Sequence, residues 1–276
     1  MTLSMRQLLF WVGITLVVIT GGYYYGRILL YRWKSIQLDQ ELQINPIRSL
    51  GIIMDGNRRW AKAHGFKPWI GHRQGIEPVK AVVRFCIEKN IEQVTLYTWS
   101  LENFKRPHEE QTFLFTILAQ EIKSKEFEQL CAQGVRIRFI GDSTKFPIQL
   151  RDMIREIEEK TIAYTRLTMN LLFCYGGQQE ILAAVQRLYD ERRLIHNAPQ
   201  PDITAEELEH ALWSTGVQDP DLIIRTGGCV RLSNFLLYKA AYSELYFLDC
   251  YWPEVTEHHL IDAALHYVRC KRRFGQ

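Results

Sequence analysis

Apolar residues follow two kinds of pattern along residues 50–270 of this chain. Short continuous apolar runs predict buried strands, and apolar residues spaced three or four apart predict helices that pack on those strands. The predicted strands cover residues 50–54, 94–98, 135–139, 167–173, 221–224 and 245–248. The predicted helices cover residues 74–88, 109–131, 147–162, 178–192 and 256–270. A further short helix begins at Thr204, where Glu207 has the spacing of a capping box.

The order of these elements predicts an α/β fold with a mostly parallel central sheet flanked by helices. A helix between two strands returns the chain to the starting edge of the sheet, so the strands run parallel and the helices cover both faces. The sequence shows no internal repeat. We therefore predict that residues 49–276 form one domain.

An uncharged apolar run precedes this domain. Residues 8–25 read LLFWVGITLVVITGGYYY, a length close to the ~20 apolar residues that cross a bilayer core. One basic residue precedes the run, whereas several follow it, namely Arg27, Arg32, Lys34 and Arg48. By the positive-inside rule, this asymmetry places the domain in the cytoplasm.

We therefore predict a single-pass N-terminal membrane anchor, a transmembrane helix within residues 1–34 that contacts membrane lipid. Residues 35–48 are mostly polar and contain Pro46, which indicates a linker. A cleaved signal peptide is the alternative, because Arg6 precedes the apolar run and small residues near Gly22 resemble a weak cleavage site.

Composition and charge narrow the class of protein. The 276 residues are 47% hydrophobic and 24% charged, which excludes a disordered chain. Lys and Arg outnumber Asp and Glu by 34 to 31, and the first 48 residues account for this excess. A domain without net charge is not expected to bind nucleic acid. Six scattered cysteines without a CxxC pair indicate reduced thiols and no zinc site.

The first predicted strand ends in a polar segment, residues 54–60, which read MDGNRRW. In α/β sheets, ligands bind outside the carboxyl ends of the strands. Here Asp55 can hold Mg2+ against a phosphate, Gly56 allows backbone amides to approach, and the two arginines that open the next helix bind phosphate oxygens. A capping aspartate with two solvated arginines is the alternative.

Two further strand ends are polar as well. Residues 100–107, SLENFKRP, offer a hydroxyl, an amide, an aromatic ring and cations. Residues 225–234, RTGGCVRLSN, place paired glycines between Arg225 and Arg231, which suits a diphosphate because guanidinium groups bind phosphate oxygens in pairs. Glu244 heads the next strand and is the candidate second carboxylate. Ordinary turns and a surface glutamate are the alternatives.

Several common catalytic motifs are missing from the sequence. It contains no GxxxxGK[ST] nucleotide loop, no GxGxxG dinucleotide loop, no GxSxG nucleophile turn and no DDxxD cluster. On the residues alone, the conclusion is a phosphate-binding enzyme of unspecified reaction.

Taken together, the segments resemble the cis-prenyltransferase family, the undecaprenyl and dehydrodolichyl diphosphate synthases. The resemblance runs from about residue 49 to residue 275. It rests on MDGNRRWA at 54–61, GHRQG at 71–75, SLENFKRP at 100–107, LIIRTGG at 222–228, RLSNFLL at 231–237, ELYF at 244–247, WPE at 252–254 and RRFG at 272–275.

This resemblance implies a transferase of isoprenoid biosynthesis, with residues 49–276 as the catalytic domain of a homodimer. The enzyme would use Mg2+ to condense isopentenyl diphosphate units onto an allylic diphosphate such as farnesyl diphosphate. Its product would be a Z-polyprenyl diphosphate, the precursor of a lipid carrier. A non-catalytic partner subunit of a heteromeric enzyme is the alternative, and the intact Asp55, Arg58 and Arg59 argue against it.

The resemblance also implies roles by motif position. Asp55 and Asn103 would be catalytic, with Asn103 in the position of a proton acceptor, and Asp55 and Glu244 would hold the metal. Substrates would contact Gly56, Asn57, Arg58, Arg59, Trp60, His72, Ser100, Leu101, Glu102, Phe104, Arg106, Arg225, Arg231, Leu232, Ser233 and Arg273. The tail around Arg273 would reach across the homodimer to the neighbouring site.

A growing prenyl tail needs an apolar tunnel. Phe113, Leu114, Ile117, Leu118 and residues 171–173 are candidates to line it, and ordinary core is their alternative.

Three positions depart from the usual family pattern. Ser49 stands where a histidine is usual, Pro68 where an arginine is frequent, and Cys229 where a glutamate is usual. The first two departures can alter diphosphate affinity, with Lys67 as a substitute cation for position 68. The third changes the charge of the RTGG loop.

Overall fold

Six parallel strands form the centre of the molecule. The computed structural model describes residues 5–193 and 202–270, with side chains from Tyr25 onward. The strands are β1 (Ser49–Ile53), β2 (Gln93–Ser100), β3 (Val135–Ile140), β4 (Leu167–Tyr175), β5 (Leu222–Arg225) and β6 (Glu244–Phe247). Their order in the sheet is β3-β4-β2-β1-β5-β6, and every pairing is parallel. The predicted α/β class is confirmed, and each predicted strand end lies within two residues of an observed one.

Helices cover the sheet. They are α1 (Met5–Ile44), α2 (Asn57–Ala63), α3 (Ile70–Gln74), α4 (Ile76–Glu88), α5 (His108–Ile122), α6 (Lys125–Cys131), α7 (Ile148–Thr161), α8 (Gly177–Arg193), α9 (Ala205–Ala211) and α10 (Glu257–Arg269). Of these, α4, α5, α7, α8 and α10 lie where the spacing of apolar residues predicts them. The predicted capping box opens α9, where the Thr204 hydroxyl accepts the N–H of Glu207.

The single helix predicted for residues 109–131 is two helices, α5 and α6. Ser124 is extended, with φ −74° and ψ 147°, and its hydroxyl accepts the backbone N–H of Phe127 at 3.1 Å. A serine in this conformation caps a new helix rather than continuing the old one. The apolar spacing on both sides is helical, so periodicity alone does not reveal the break.

The residues predicted to form a linker, 35–48, are helical as far as Ile44, where α1 ends. Leu38 and Leu42 of this segment are buried in the main core. Lys34 Nζ also donates to Asp262 Oδ1 of α10 at 2.6 Å. The second half of α1 therefore packs on the domain.

The prediction of a membrane anchor within residues 1–34 is wrong. Across the part of the chain that the structure describes, no helix combines the length and the hydropathy that crossing a bilayer requires. The physical reason lies in the described half of α1, which carries Arg27, Arg32 and Lys34 and packs on α10. The side chains of residues 8–21 lie outside those described. The predicted localisation as a single-pass membrane protein depends on this anchor and is therefore wrong as well.

The topology creates a crevice at the carboxyl end of β1. From β1 the chain crosses to β2 on one side, and it later returns to β5 on the other side. At such a switch point, the loops that follow the two neighbouring strands diverge and leave room for a ligand. Buried apolar residues of β1, β2 and β5, such as Ile52, Leu96 and Ile224, pack into one core and fix the strand ends.

Candidate active site

Three polar strand ends meet in this crevice. Asp55 follows β1, Ser100 ends β2, and Arg225 ends β5. Because β1 pairs with both β2 and β5, the three ends are neighbours. The structure thus brings three of the polar segments singled out in the sequence together at one edge of the sheet.

The carboxylate of Asp55 lies between two arginines. Its Oδ2 accepts from Arg225 Nη2 at 2.7 Å, and its Oδ1 accepts from Arg59 Nη2 at 3.1 Å. Partial burial opposes ionisation of Asp55, but the hydrogen bond and charge of Arg225, and then those of Arg59, outweigh it and lower the pKa of the carboxyl group. Asp55 is therefore ionised at neutral pH.

The RTGG loop packs directly against the segment that carries Asp55. The hydroxyl of Thr226 accepts the N–H of Asp55 at 2.9 Å and lies 2.7 Å from its carbonyl oxygen. Gly227 has a φ of +82°, and its carbonyl accepts from Arg59 Nη1 at 2.7 Å. A Cβ at this glycine would lie 2.6 Å from Arg59 Nη2. A side chain at position 227 would thus displace Arg59 from Asp55.

A second cluster surrounds Glu110, a residue that the sequence analysis missed. Its side chain is 1% exposed, and its Oε1 lies 3.1 Å from Arg106 Nη1, 3.6 Å from Arg58 Nε and 4.0 Å from His72 Nε2. Helical spacing gives no signal for it, because Arg106 is extended and lies before α5, which begins at His108. Glu110 holds together three predicted substrate contacts.

His72 is a neutral member of this cluster. Burial first, and then the charges of Arg106 and Arg58, lower its pKa to about 3. Arg106 Nη1 lies 3.4 Å from His72 Nε2, and a guanidinium group can only donate. The Nε2 atom is therefore the acceptor, which leaves the ring proton on Nδ1.

The two remaining loops add hydroxyl and amide groups. Asn103 Oδ1 accepts the N–H of Ser100 at 3.1 Å and so orders the turn that follows β2. In the loop after β5, Arg225 Nη1 donates to Ser233 Oγ at 2.7 Å and to the carbonyl oxygen of Arg231 at 2.5 Å. Arg231 Nε also donates to Ser233 Oγ, at 3.2 Å.

One cavity of about 360 Å³ connects these groups to an apolar interior. Eight predicted site residues line it: Asp55, Asn57, His72, Ser100, Asn103, Arg106, Arg225 and Ser233. Behind them the wall is apolar and includes Leu96, Leu114, Ile117, Leu118, Leu130, Met169 and Leu171. A neighbouring cavity of about 470 Å³ is lined by Gly56, Arg58, Arg59, Lys62 and Pro68, and it shares Asp55 and His72 with the first.

Other predicted positions are not brought into these cavities. Trp60 stacks on His64, and Phe104 lies against Trp99. Leu101 and Leu232 pack on the core. Glu102 accepts a hydrogen bond from Asn234. Glu244 begins β6 and pairs with Leu222, at the end of the sheet opposite Asp55. Arg273 lies outside the described residues.

The tunnel candidates divide in the same way. Leu114, Ile117, Leu118 and Leu171 line the cavity, whereas Leu172 and Phe173 belong to buried core clusters. Phe113 lies against Trp69. Periodicity identifies apolar faces, but it does not distinguish a cavity wall from a filled core.

The three departures from the family pattern lie in different places. Ser49 is buried at the amino end of β1, where its hydroxyl donates to the carbonyl of Gln218, so it is remote from Asp55 and the arginines around it. Pro68 lines the cationic cavity, but Lys67 places its amine over the ring of Trp69 instead. Cys229 is half-buried beside the RTGG turn.

The donor set at Asp55 fits a magnesium ion. Among the described residues, no three His, Cys, Asp or Glu side chains come together as a metal-binding cluster. Mg2+ is usually held by one or two carboxylates together with substrate phosphates and waters. The ionised carboxylate of Asp55, beside arginines that can bind a phosphate, is therefore a suitable ligand for it.

Comparisons with known proteins agree with this geometry. The family model described as "Putative undecaprenyl diphosphate synthase" matches residues 53–275. The ditrans,polycis-undecaprenyl-diphosphate synthase of Pseudomonas aeruginosa, named as specific for (2E,6E)-farnesyl diphosphate, is 40% identical over 229 residues, which are 83% of this chain and 90% of that protein. The tritrans,polycis enzyme of Picrophilus torridus, named as specific for geranylgeranyl diphosphate, is 38% identical over 87% of this chain and 94% of its own.

A solved structure has the same fold. Lavandulyl diphosphate synthase from Lavandula x intermedia, in complex with dimethylallyl diphosphate, superposes with a TM-score of 0.78 at 30% identity. The match covers 83% of this chain and 98% of that one.

Proposed function

Because this chain belongs to the cis-prenyltransferase family of undecaprenyl diphosphate synthases, which are transferases, we propose that it condenses isopentenyl diphosphate onto farnesyl diphosphate and releases a Z-polyprenyl diphosphate, a lipid carrier precursor. The observation that carries the proposal is the single cavity in which arginines and Asp55 at the mouth adjoin an apolar interior. A diphosphate head and a prenyl tail have these two chemistries.

Two groups of cationic and neutral hydrogen-bond donors suit two diphosphates. Arg58, Arg59, His72 and the backbone at Gly56 surround one part of the mouth, and we assign the allylic diphosphate to it. The second group comprises Arg225, Arg231 and Ser233, and we assign isopentenyl diphosphate to it. Arg225 is 4% exposed, and its Nε has no hydrogen-bond partner among the described residues, so it has an unused donor. Two fixed diphosphates would hold the reacting carbons in contact.

The chemical step follows from this placement. The bond between C1 of the allylic substrate and its diphosphate oxygen breaks, the terminal alkene carbon of isopentenyl diphosphate bonds to that C1, and a proton leaves the isopentenyl C2. The arginines stabilise the negative charge that develops on the departing diphosphate. Asn103 and Ser100, on the cavity wall beside both sites, would orient the departing proton toward an oxygen of the released diphosphate, which accepts it. Mg2+ held by Asp55 would supply further charge neutralisation to the diphosphate.

The proposal also specifies farnesyl diphosphate as the allylic primer. The two relatives above carry different primer names, so their identity to this chain does not choose between farnesyl and geranylgeranyl diphosphate. Comparing kcat/KM for the two primers with the purified protein tests the choice, and a preference for the longer primer would overturn it.

Incorporation of labelled isopentenyl diphosphate tests the activity itself. We expect Mg2+-dependent elongation of farnesyl diphosphate by the wild-type protein, with product lengths separated by chromatography. Asp55→Asn should lose about 10²–10³-fold in kcat, since the ionised carboxylate would hold the Mg2+ that neutralises charge on the leaving group. A wild-type protein without activity, or an Asp55→Asn variant of equal activity, would overturn the proposal.

We also propose that the active form is a homodimer rather than a partner subunit. Glu244 lies on the edge strand β6, away from Asp55 of its own chain, so a role at a metal would require a second copy. Mixing inactive Asp55→Ala and Arg273→Ala proteins tests this arrangement. If Arg273 serves the neighbouring site, mixed dimers regain one intact site and up to half of the activity per dimer. Failure to regain any activity, with dimers confirmed by light scattering, would overturn it.

A further inference from the structure

The side chain of Asn234 lies where three segments of the site meet. Its Oδ1 accepts the backbone N–H of Gln178 at 2.8 Å, at the start of α8. Its Nδ2 donates to Gln179 Oε1 and to Glu102 Oε1, both at 2.9 Å. Its carbonyl oxygen accepts the N–H of Gly177 at 2.8 Å. Both amide hydrogens and both oxygens of this residue are therefore engaged.

These bonds support a strained backbone next to a predicted diphosphate contact. Ser233 and Asn234 both have left-handed φ values, 49° and 68°. Asparagine tolerates this conformation better than serine, so the pair needs external support. The hydroxyl of Ser233 accepts hydrogen bonds from both Arg225 and Arg231. The anchoring of Asn234 thus fixes the point at which these two arginines meet.

The other end of the contact lies in the loop after β2. Glu102 belongs to the short 3-10 helix Leu101–Lys105, which also carries Asn103 and is followed by Arg106. Glu102 and Asn234 are 132 residues apart in sequence, so their hydrogen bond joins two loops that come from different strands. A carboxylate in direct contact with a diphosphate would be repelled by it.

We propose that Asn234 is a positioning residue that fastens the loop of residues 231–236 to the turn of residues 100–106 through Glu102. In this arrangement Glu102 acts through Asn234 and does not touch substrate. The inference rests on the proposed function, because its readout is the use of two diphosphate substrates. The hydrogen bond between Asn234 and Glu102 would keep the residues that contact isopentenyl diphosphate aligned with Asn103.

A donor–acceptor exchange tests the inference. Asn234→Asp keeps the left-handed backbone and the bond from Gln178 N–H, but it places a carboxylate oxygen opposite Glu102. We expect kcat/KM for isopentenyl diphosphate to fall about tenfold, with the KM of the allylic substrate changed less than threefold. Adding Glu102→Gln restores a donor–acceptor pair with the roles exchanged, since the glutamine donates and the aspartate accepts. The kcat/KM of the double variant for isopentenyl diphosphate should recover to within about threefold of wild type.

Controls separate this inference from stability and from the activity itself. Asn90→Asp makes the same chemical change at another left-handed asparagine, φ 56°, which is exposed, and it should retain wild-type kinetics. Asn234→Gly, which keeps the backbone conformation without any side-chain bond, should lose activity like Asn234→Asp. An active wild type together with a wild-type-like Asn234→Gly, or a double variant no better than Asn234→Asp, would overturn the inference. An inactive wild type would instead overturn the proposed function.

Discussion

The two ends of the parallel sheet use polar residues in opposite ways. At the amino end, Asp221 Oδ2 accepts the N–H groups of Arg48 and Ser49 at 2.8 and 3.0 Å, and the Ser49 hydroxyl donates to the Gln218 carbonyl. These groups satisfy one another. At the carboxyl end the charges are unequal, because four arginines face two carboxylates. The arginines are Arg58, Arg59, Arg106 and Arg225, and the carboxylates are those of Asp55 and Glu110.

This difference separates stability from binding. Paired polar groups at the amino end stabilise the fold and leave little for a ligand to contact. An excess of positive charge at the carboxyl end repels itself, so it lowers stability until an anion binds. A diphosphate would relieve that repulsion. Asp55 and His72, whose pKa values are both lowered, lie at the carboxyl end, in agreement with this division.

The largest expected effect comes from Arg225, which is central to the carboxyl end. Lysine at this position keeps the charge but cannot contact Asp55, Ser233 and the Arg231 carbonyl at once. Arg225→Lys should lower kcat/KM for isopentenyl diphosphate about 10²-fold in the incorporation assay. Arg155→Lys, at an exposed position paired with Asp152, is the matched control. Activity of Arg225→Lys within threefold of that control would contradict the comparison.

Glu110→Gln should have the next largest effect. The glutamine keeps the shape of a buried side chain but loses the charge that holds Arg58 and Arg106 close together. The two guanidinium groups should then separate, and the KM for the allylic diphosphate should rise about tenfold. Glu109→Gln changes an exposed neighbour on the same helix and should leave KM unchanged. If both variants had equal KM values, Glu110 would be a purely structural residue.

The same comparison explains what sequence could predict. Strand positions and the Asp55, Ser100 and Arg225 segments follow from apolar runs that end in polar residues, which is a local signal. Glu110 and the hydrogen bond between Glu102 and Asn234 depend on how loops fold across the sheet, and no local pattern encodes them. The break at Ser124 and the packing of residues 35–44 were likewise decided by tertiary contacts and capping. The predicted anchor is wrong, and the hydropathy of one apolar run does not reveal that the second half of the same helix packs on the domain.

A pH measurement tests whether the carboxyl end of the sheet disfavours a further positive charge, through burial and through the nearby arginines. The pKa of His72 is about 3 in the folded protein, below the ordinary value of about 6.5. Unfolded chains therefore bind a proton between these values that the folded protein does not, so stability falls as pH falls through this range. When the pH is lowered from 7 to 5, the unfolding free energy of the wild type should fall more than that of His72→Gln. The difference between the two decreases should reach up to about 2 kcal/mol in urea titrations. Equal losses would show that neither burial nor the nearby cations disfavour protonation of His72.

The smallest effect on activity is expected at the amino end. Asp221→Ala removes the acceptor for two backbone amides and should lower the unfolding free energy by about 1–2 kcal/mol, measured by urea denaturation. Its kcat/KM at a temperature where the variant is fully folded should stay within twofold of wild type, since Asp221 lies at the opposite end of the sheet from the cavity. A variant that kept its stability but lost activity would place function at both ends. The division between a stabilising end and a binding end would then fail, because a polar group that already has partners in the fold would also be acting on substrate.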